Sequence, residues 1–198
     1  MGAVKNYGYD SGGLYLKRIN RSTKTKCYNT WIDVLRRCYD DKWKAKYCTY
    51  RDVYLCESWH DYQVFALWYY NNYKDGYQID KDILSDYYGE GVYYSPKTCR
   101  MIPRDLNMLL VNRVGKSRNI DTPLVVSYSK HIDKYTAWCN NGEGKTVNLG
   151  SRDTAVEAFN LYKTYKENLI KEKACNYHTK GVIDDTLYES LLVYEVDP

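Results

Sequence analysis

Asp80 and Asp82 bracket Lys81 within Ile79-Asp-Lys-Asp-Ile-Leu84 of this 198-residue chain, a spacing of carboxylates that could do chemistry. In a regular strand, residues i and i+2 point to one face. The two carboxylates could then hold Mg²⁺ and let a metal-bound water attack a phosphate. The same residues could equally bracket Lys81 on a solvated strand or brace a loop. Histidine adds little, because His60, His131 and His178 read as surface residues. The seven cysteines, at 27, 38, 48, 56, 99, 139 and 175, form no CxxC and no Cys/His cluster of ligand spacing. They disfavour structural zinc and suit reduced thiols in a cytosol.

The elements that must carry these residues follow from spacing. Gly76–Leu84 and then Tyr87–Tyr94, with Gly89 and Gly91, predict two short strands joined by a glycine-containing turn. Ser95-Pro96 predicts a helix start, and Leu106, Leu109 and Leu110 a helix over Arg104–Val114. Upstream, Trp31, Val34, Leu35 and Cys38 predict an amphipathic helix capped by Asn29 or Thr30, with Arg36 and Arg37 on its opposite face. Ser58 with Asp61 resembles a capping box opening a second helix to about Asn72. Downstream, Gly115–Pro123 marks a module boundary. Three β-rich segments follow, about 124–129, 135–140 and 145–149, and then a Thr154/Glu157 capping box and a helix to about Lys173. The economical solution there is a three-stranded antiparallel sheet covered by one helix.

Composition bounds the function. The chain is 44% hydrophobic and 27% charged, and no apolar run approaches the roughly 20 residues that span a bilayer, so no membrane partner is expected. Tyrosine dominates the aromatics, with 24 Tyr against Phe65 and Phe159 alone. Tyrosine can fill a core or furnish a contact surface. Residues 1–50 hold eleven Lys/Arg against four Asp, giving +7, whereas residues 181–198 hold five acids and no base, giving −5. A basic front suits an anionic partner, and Arg36, Arg37 and the Lys-rich stretch 42–46 could grip a phosphate backbone. The acidic tail could compete for that surface. Leu187, Ser190, Leu191 and Tyr194 form a helical stripe within it, with Asp184 or Asp185 as N-cap.

Residues 24–173 resemble a phage protein family that joins a variant HNH nuclease module to an AP2-like DNA-binding domain. Cys27-Tyr-Asn-Thr-Trp31, Arg37-Cys-Tyr39, Trp59, Ile79–Leu84 and Tyr94–Asn107 carry the first likeness; Tyr135–Cys139 and Asn148–Tyr162 carry the second. The resemblance implies an α+β fold of an HNH-like ββα unit with flanking helices, then the AP2-like sheet. The domains would be a 1–23 extension, an HNH-like module over 24–115, an AP2-like domain over 116–173 and an acidic tail over 174–198 carrying a short helix. It places Asp80 at the acidic metal-ligand position and Asn107 at the downstream Asn.

This sequence departs from that family where catalysis would occur. Lys81 stands where the water-activating His belongs and Thr98 where the helix Asn belongs. An ordinary lysine is protonated at neutral pH and is no base. For the second module, the resemblance implies DNA contacts from Ser127 and Ser129, from Tyr135, Trp138 and Asn140, and from Thr146 and Asn148, with Lys130, Lys134, Lys145 and Arg152 flanking. An alternative packs Trp138 and Tyr135 under the helix. The expectation is a phage-encoded duplex DNA binder in the host cytoplasm, associated with the nucleoid and without efficient cleavage. Alternatives are a Mg²⁺-dependent nicking endonuclease using Asp80 and Asp82, and an accessory or anti-defence protein that binds a host protein.

Overall fold

The computed structural model describes residues 7–89, 91–110 and 125–196. It is a mixed α+β structure that divides into two compact units, Met1–Met101 and Ile102–Pro198. The boundary expected at 115/116 lies outside the described residues.

In the first unit, α1 (Lys26–Tyr39) is capped by the Thr25 hydroxyl, which accepts from the Tyr28 N–H. The helix thus starts a turn earlier than the apolar stripe suggests. Cys27, Trp31, Val34, Leu35 and Cys38 are its buried face. Asp40 caps the short α2 (Asp41–Lys46). β1 (Tyr54–Leu55) and a tight 3-10 turn over Glu57–His60 precede α3 (Tyr62–Asn72). Asp61 itself caps α3 by accepting from the Gln63 N–H, so Ser58 belongs to a separate turn and the expected Ser58 capping box is not formed. The described part of the N-terminal extension is pinned to this unit. Tyr9 exchanges backbone hydrogen bonds with His60 and Tyr62, and Gly8 lies so close to Trp31 that a Cβ there would meet the ring at 2.6 Å.

β2 (Tyr77–Asp80) leads into α4 (Asp82–Tyr88), which ends on Gly89 in the left-handed region at φ 62°. The expected strand–turn–strand is therefore strand–helix–strand, closed by β3 (Tyr93–Tyr94), which pairs parallel with β1. Ser95–Thr98 is a turn and starts no helix. The Ser95 hydroxyl accepts from Lys97 N and Thr98 N as a helix cap would, but the chain then extends into β4 (Arg100–Pro103). The first two residues of β4, Arg100 and Met101, close the unit. Its core is strongly aromatic: Trp59, Tyr62, Phe65 and Tyr94 are all within 1% of full burial. Here tyrosine does serve as a core residue, while Tyr9 and Tyr54 remain exposed.

In the second unit, α5 (Arg104–Leu110) is held to the long α6 (Ala155–Thr179), where the Asp105 carboxylate accepts from Lys173 Nζ at 2.7 Å and Tyr177 Oη at 2.6 Å. β5 (Val126–Ser129), β6 (Lys134–Asn140) and β7 (Thr146–Arg152) form an antiparallel sheet in that order. Thr154 and Glu157 form the reciprocal capping box at the start of α6. The helix continues past Lys173 to Thr179, so the expected border at 173/174 falls inside it. Asp184 caps α7 (Asp185–Leu192), whose Leu187, Ser190 and Leu191 are buried.

Candidate functional site

Asp80 is the last residue of β2 and Asp82 the first of α4, so they do not alternate along one strand and share no strand face. This corrects the expected placement of the pair on one strand. Asp80 accepts from Ile83 N at 3.1 Å and so tethers the first turn of α4. Its burial, reinforced by the nearby Asp82 charge, pushes its carboxyl up to about 7. Asp82 is exposed and paired with Lys81. Among the described residues, no three His, Cys, Asp or Glu side chains gather to hold a metal. Mg²⁺ prefers several anionic oxygens, and here the Asp80 oxygen already accepts from Ile83 N while Asp82 is balanced by the Lys81 ammonium, a donor set poor for it. No hydrolytic step through Mg²⁺ follows from this donor set.

Lys81 has only 5% of its side chain exposed. Its ammonium lies 5.4 Å from the Tyr50 ring centre and 5.5 Å from that of Tyr94, with Asp82 as ion-pair partner. Those are the contacts of a cation and not of a general base. Thr98 is 1% exposed and donates to the Tyr93 carbonyl, with the Ser95 hydroxyl at 3.0 Å, so its role is to close a turn. Asn107 lies half-buried on α5 in the second unit. His60 faces Tyr39 Oη at 2.7 Å and the Glu57 carbonyl at 3.0 Å, while His178 pairs with Asp185. Both histidines are thus engaged elsewhere than at Asp80.

Arg36 and Arg37 do not form one outward phosphate grip. Arg36 is bound by Asp33 at 2.6 Å and lies 4.2 Å over Trp43. Arg37 turns inward, donating from Nη1 to Tyr94 Oη at 2.9 Å over the Tyr50 ring. The Arg37–Tyr50–Lys81–Tyr94 assembly was invisible to sequence reasoning, since its members come from separated elements at no characteristic spacing.

The β5–β7 sheet has two distinct faces. Ala137 and Cys139 of β6 pack with Ala158, Phe159 and Tyr162 of α6. Alternation sends Lys134, Thr136, Trp138 and Asn140 to the open face. Directly paired residues share a side, so register adds Ser129, Ser127 and Ser151, Asn148 and Thr146 opposite these four. Trp138 is 40% exposed and donates from Nε1 to the Ser127 hydroxyl at 3.3 Å. It does not pack under the helix. Tyr135 does face α6, and its partner Arg152 shares that side and donates to the Ser151 carbonyl. Tyr135 therefore leaves the expected reading surface, and Arg152, expected to flank it, lies on the α6 side of β7. Lys134 is tied to Asp153 at 2.8 Å, while Lys130 and Lys145 are exposed at the loops that border the face. Thr136, which is buried, and the half-buried Ser151 bond each other at 2.8 Å on the side of the sheet away from α6, a pair that the strand pattern could have supplied. A slip in register places Leu149 between the pairs Ala137–Gly150 and Trp138–Asn148, as a β-bulge in β7.

No family model, curated protein or solved structure matches the chain. Among the described residues, no helix is long and apolar enough to cross a membrane.

Proposed function

We propose that this chain is a phage-encoded protein of HNH/AP2 descent that binds duplex DNA through the open face of the β5–β7 sheet, without efficient cleavage. The observation that carries the reading is the exposed Trp138 set among Ser127, Asn140, Thr146 and Asn148, on the face that α6 leaves uncovered. Hydroxyl and amide side chains on a twisted sheet can reach base edges in a major groove. The face carries little free positive charge, because Asp153 neutralises Lys134. Phosphate contacts would come from Lys130 and Lys145 at the rim, which makes the salt dependence shallow.

The test is duplex binding by fluorescence anisotropy at about 50 mM and about 200 mM salt, a range over which each phosphate contact registers in the slope. Affinity should fall modestly, and Lys145→Glu should weaken binding further. Undetectable binding at the lower salt would defeat the reading.

A further inference from the structure

We propose that Arg37 and Lys81, gathered around Tyr50 and Tyr94, form a phosphate-binding site in the first unit, separate from the sheet. Both cations contact the same two aromatic rings: Lys81 lies 5.4 Å from Tyr50 and 5.5 Å from Tyr94, and Arg37 lies 5.4 Å from Tyr50 and bonds the Tyr94 hydroxyl.

Their compensation is incomplete. Lys81 has Asp82, but among the described residues Arg37 has no carboxylate within ion-pair distance, and the nearby Asp33 is bonded to Arg36. Withdrawing a guanidinium from water without an anion is costly. Arg37 spends one of its donors on Tyr94, and the planar fork that remains matches two oxygens of a phosphate. Lys81 adds a point charge held by ring faces, which a phosphate can share with Asp82. A tetrahedral oxyanion can give two oxygens to the guanidinium and a third to Lys81, which a two-oxygen carboxylate cannot. The phosphate could be a DNA backbone group or a free phosphate.

Phosphorus-31 NMR of inorganic phosphate with the full chain tests the site directly. The wild-type protein should broaden the phosphate signal, and Arg37→Gln and Lys81→Met should abolish the effect. In thermal melts at matched ionic strength, about 20 mM phosphate in place of chloride should raise the wild-type midpoint by about 5 °C and leave these variants unmoved. Arg37→Gln strips Tyr94 of its donor, so Arg37→Lys serves as the second variant; it keeps the charge and should retain part of the broadening. Added duplex that relieves the broadening assigns the site to DNA backbone, and broadening that persists assigns it to free phosphate. Trp138→Ala should leave the signal unchanged, which separates this site from the sheet. No broadening by the wild-type chain, or equal broadening by Arg37→Gln, overturns the proposal.

Discussion

The Trp138 indole N–H donates to the Ser127 hydroxyl across the β5–β6 ladder, tethering a 40%-exposed ring on the sheet face opposite α6. An exposed tryptophan tethered in this way is displayed, not packed. Trp138→Ala should cost duplex affinity on the order of 10-fold to 100-fold, the scale of one good base contact. Ser127→Ala should cost less, because it only frees the ring. Stability should move by no more than about 0.5 kcal/mol in either variant. Anisotropy and thermal melting of the same samples separate the two effects. A large fall in midpoint with unchanged affinity would return Trp138 to a structural role.

The second module was the more legible in sequence, for a physical reason. Strand alternation through Tyr135–Asn140 and the Thr154/Glu157 box act over a few residues and involve no distant partner. The failures came where a short segment satisfies two patterns. Asp82–Tyr88 is seven residues, too short for a helical period to stand out from a strand, and tertiary packing of Ile83 and Leu84 decides it. Ser95 makes the bonds of a helix cap without a helix following. The Arg37–Lys81 assembly depends on α1, Tyr50, the β2–α4 junction and β3 arriving together, which no local pattern encodes.

Asp80 should make stability depend on pH with a specific sign. Its carboxyl rises from an ordinary 3.8 to about 7 on folding, chiefly through burial and secondarily through Asp82. The native state then holds a proton that the unfolded chain releases above about pH 4. This contribution is full below pH 4 and declines as pH rises toward 7, by at most about 4 kcal/mol at 1.36 kcal/mol per unit. Asp80→Asn, whose carbonyl can still accept from Ile83, should flatten urea-melt stability between pH 4 and 7. A variant that keeps the full wild-type slope would assign it to other groups.

Restoring the HNH pattern should fail structurally before it is tested chemically. Thr98 is 1% exposed and bonded to Ser95 and Tyr93. Lys81→His with Thr98→Asn therefore places a larger amide in a closed turn and removes the ring-held ammonium. We expect loss of about 2 kcal/mol or more in stability and no gain of plasmid nicking with Mg²⁺ or Mn²⁺. A wild-type chain that nicks efficiently, with the activity lost in Asp80→Ala, would contradict the account of Lys81 as a cation site.

The C-terminal segment belongs to the second unit's packing. Leu187 and Leu191 are 2% and 0% exposed, and Val196 is 2% exposed within the core that includes Phe159 and Tyr162. Glu167 accepts from the Val196 N–H at 3.0 Å, and Lys163 donates to its carbonyl at 3.1 Å, so the chain beyond α7 is clasped to α6 from both sides. The acids Asp184, Asp185, Glu189 and Glu195 remain exposed. Deleting residues 181–198 should therefore do two separable things. It should uncover apolar surface and lower the melting midpoint and solubility, since each fully buried Leu or Val contributes about 1.5–3 kcal/mol. It should also raise duplex affinity at low salt by removing five negative charges. The quadruple substitution Asp184→Asn, Asp185→Asn, Glu189→Gln and Glu195→Gln keeps the buried side chains, so it should reproduce the affinity gain with a much smaller loss of stability. Equal affinity in wild type and substituted chain across low salt would show that these acids have no part in tuning DNA attraction.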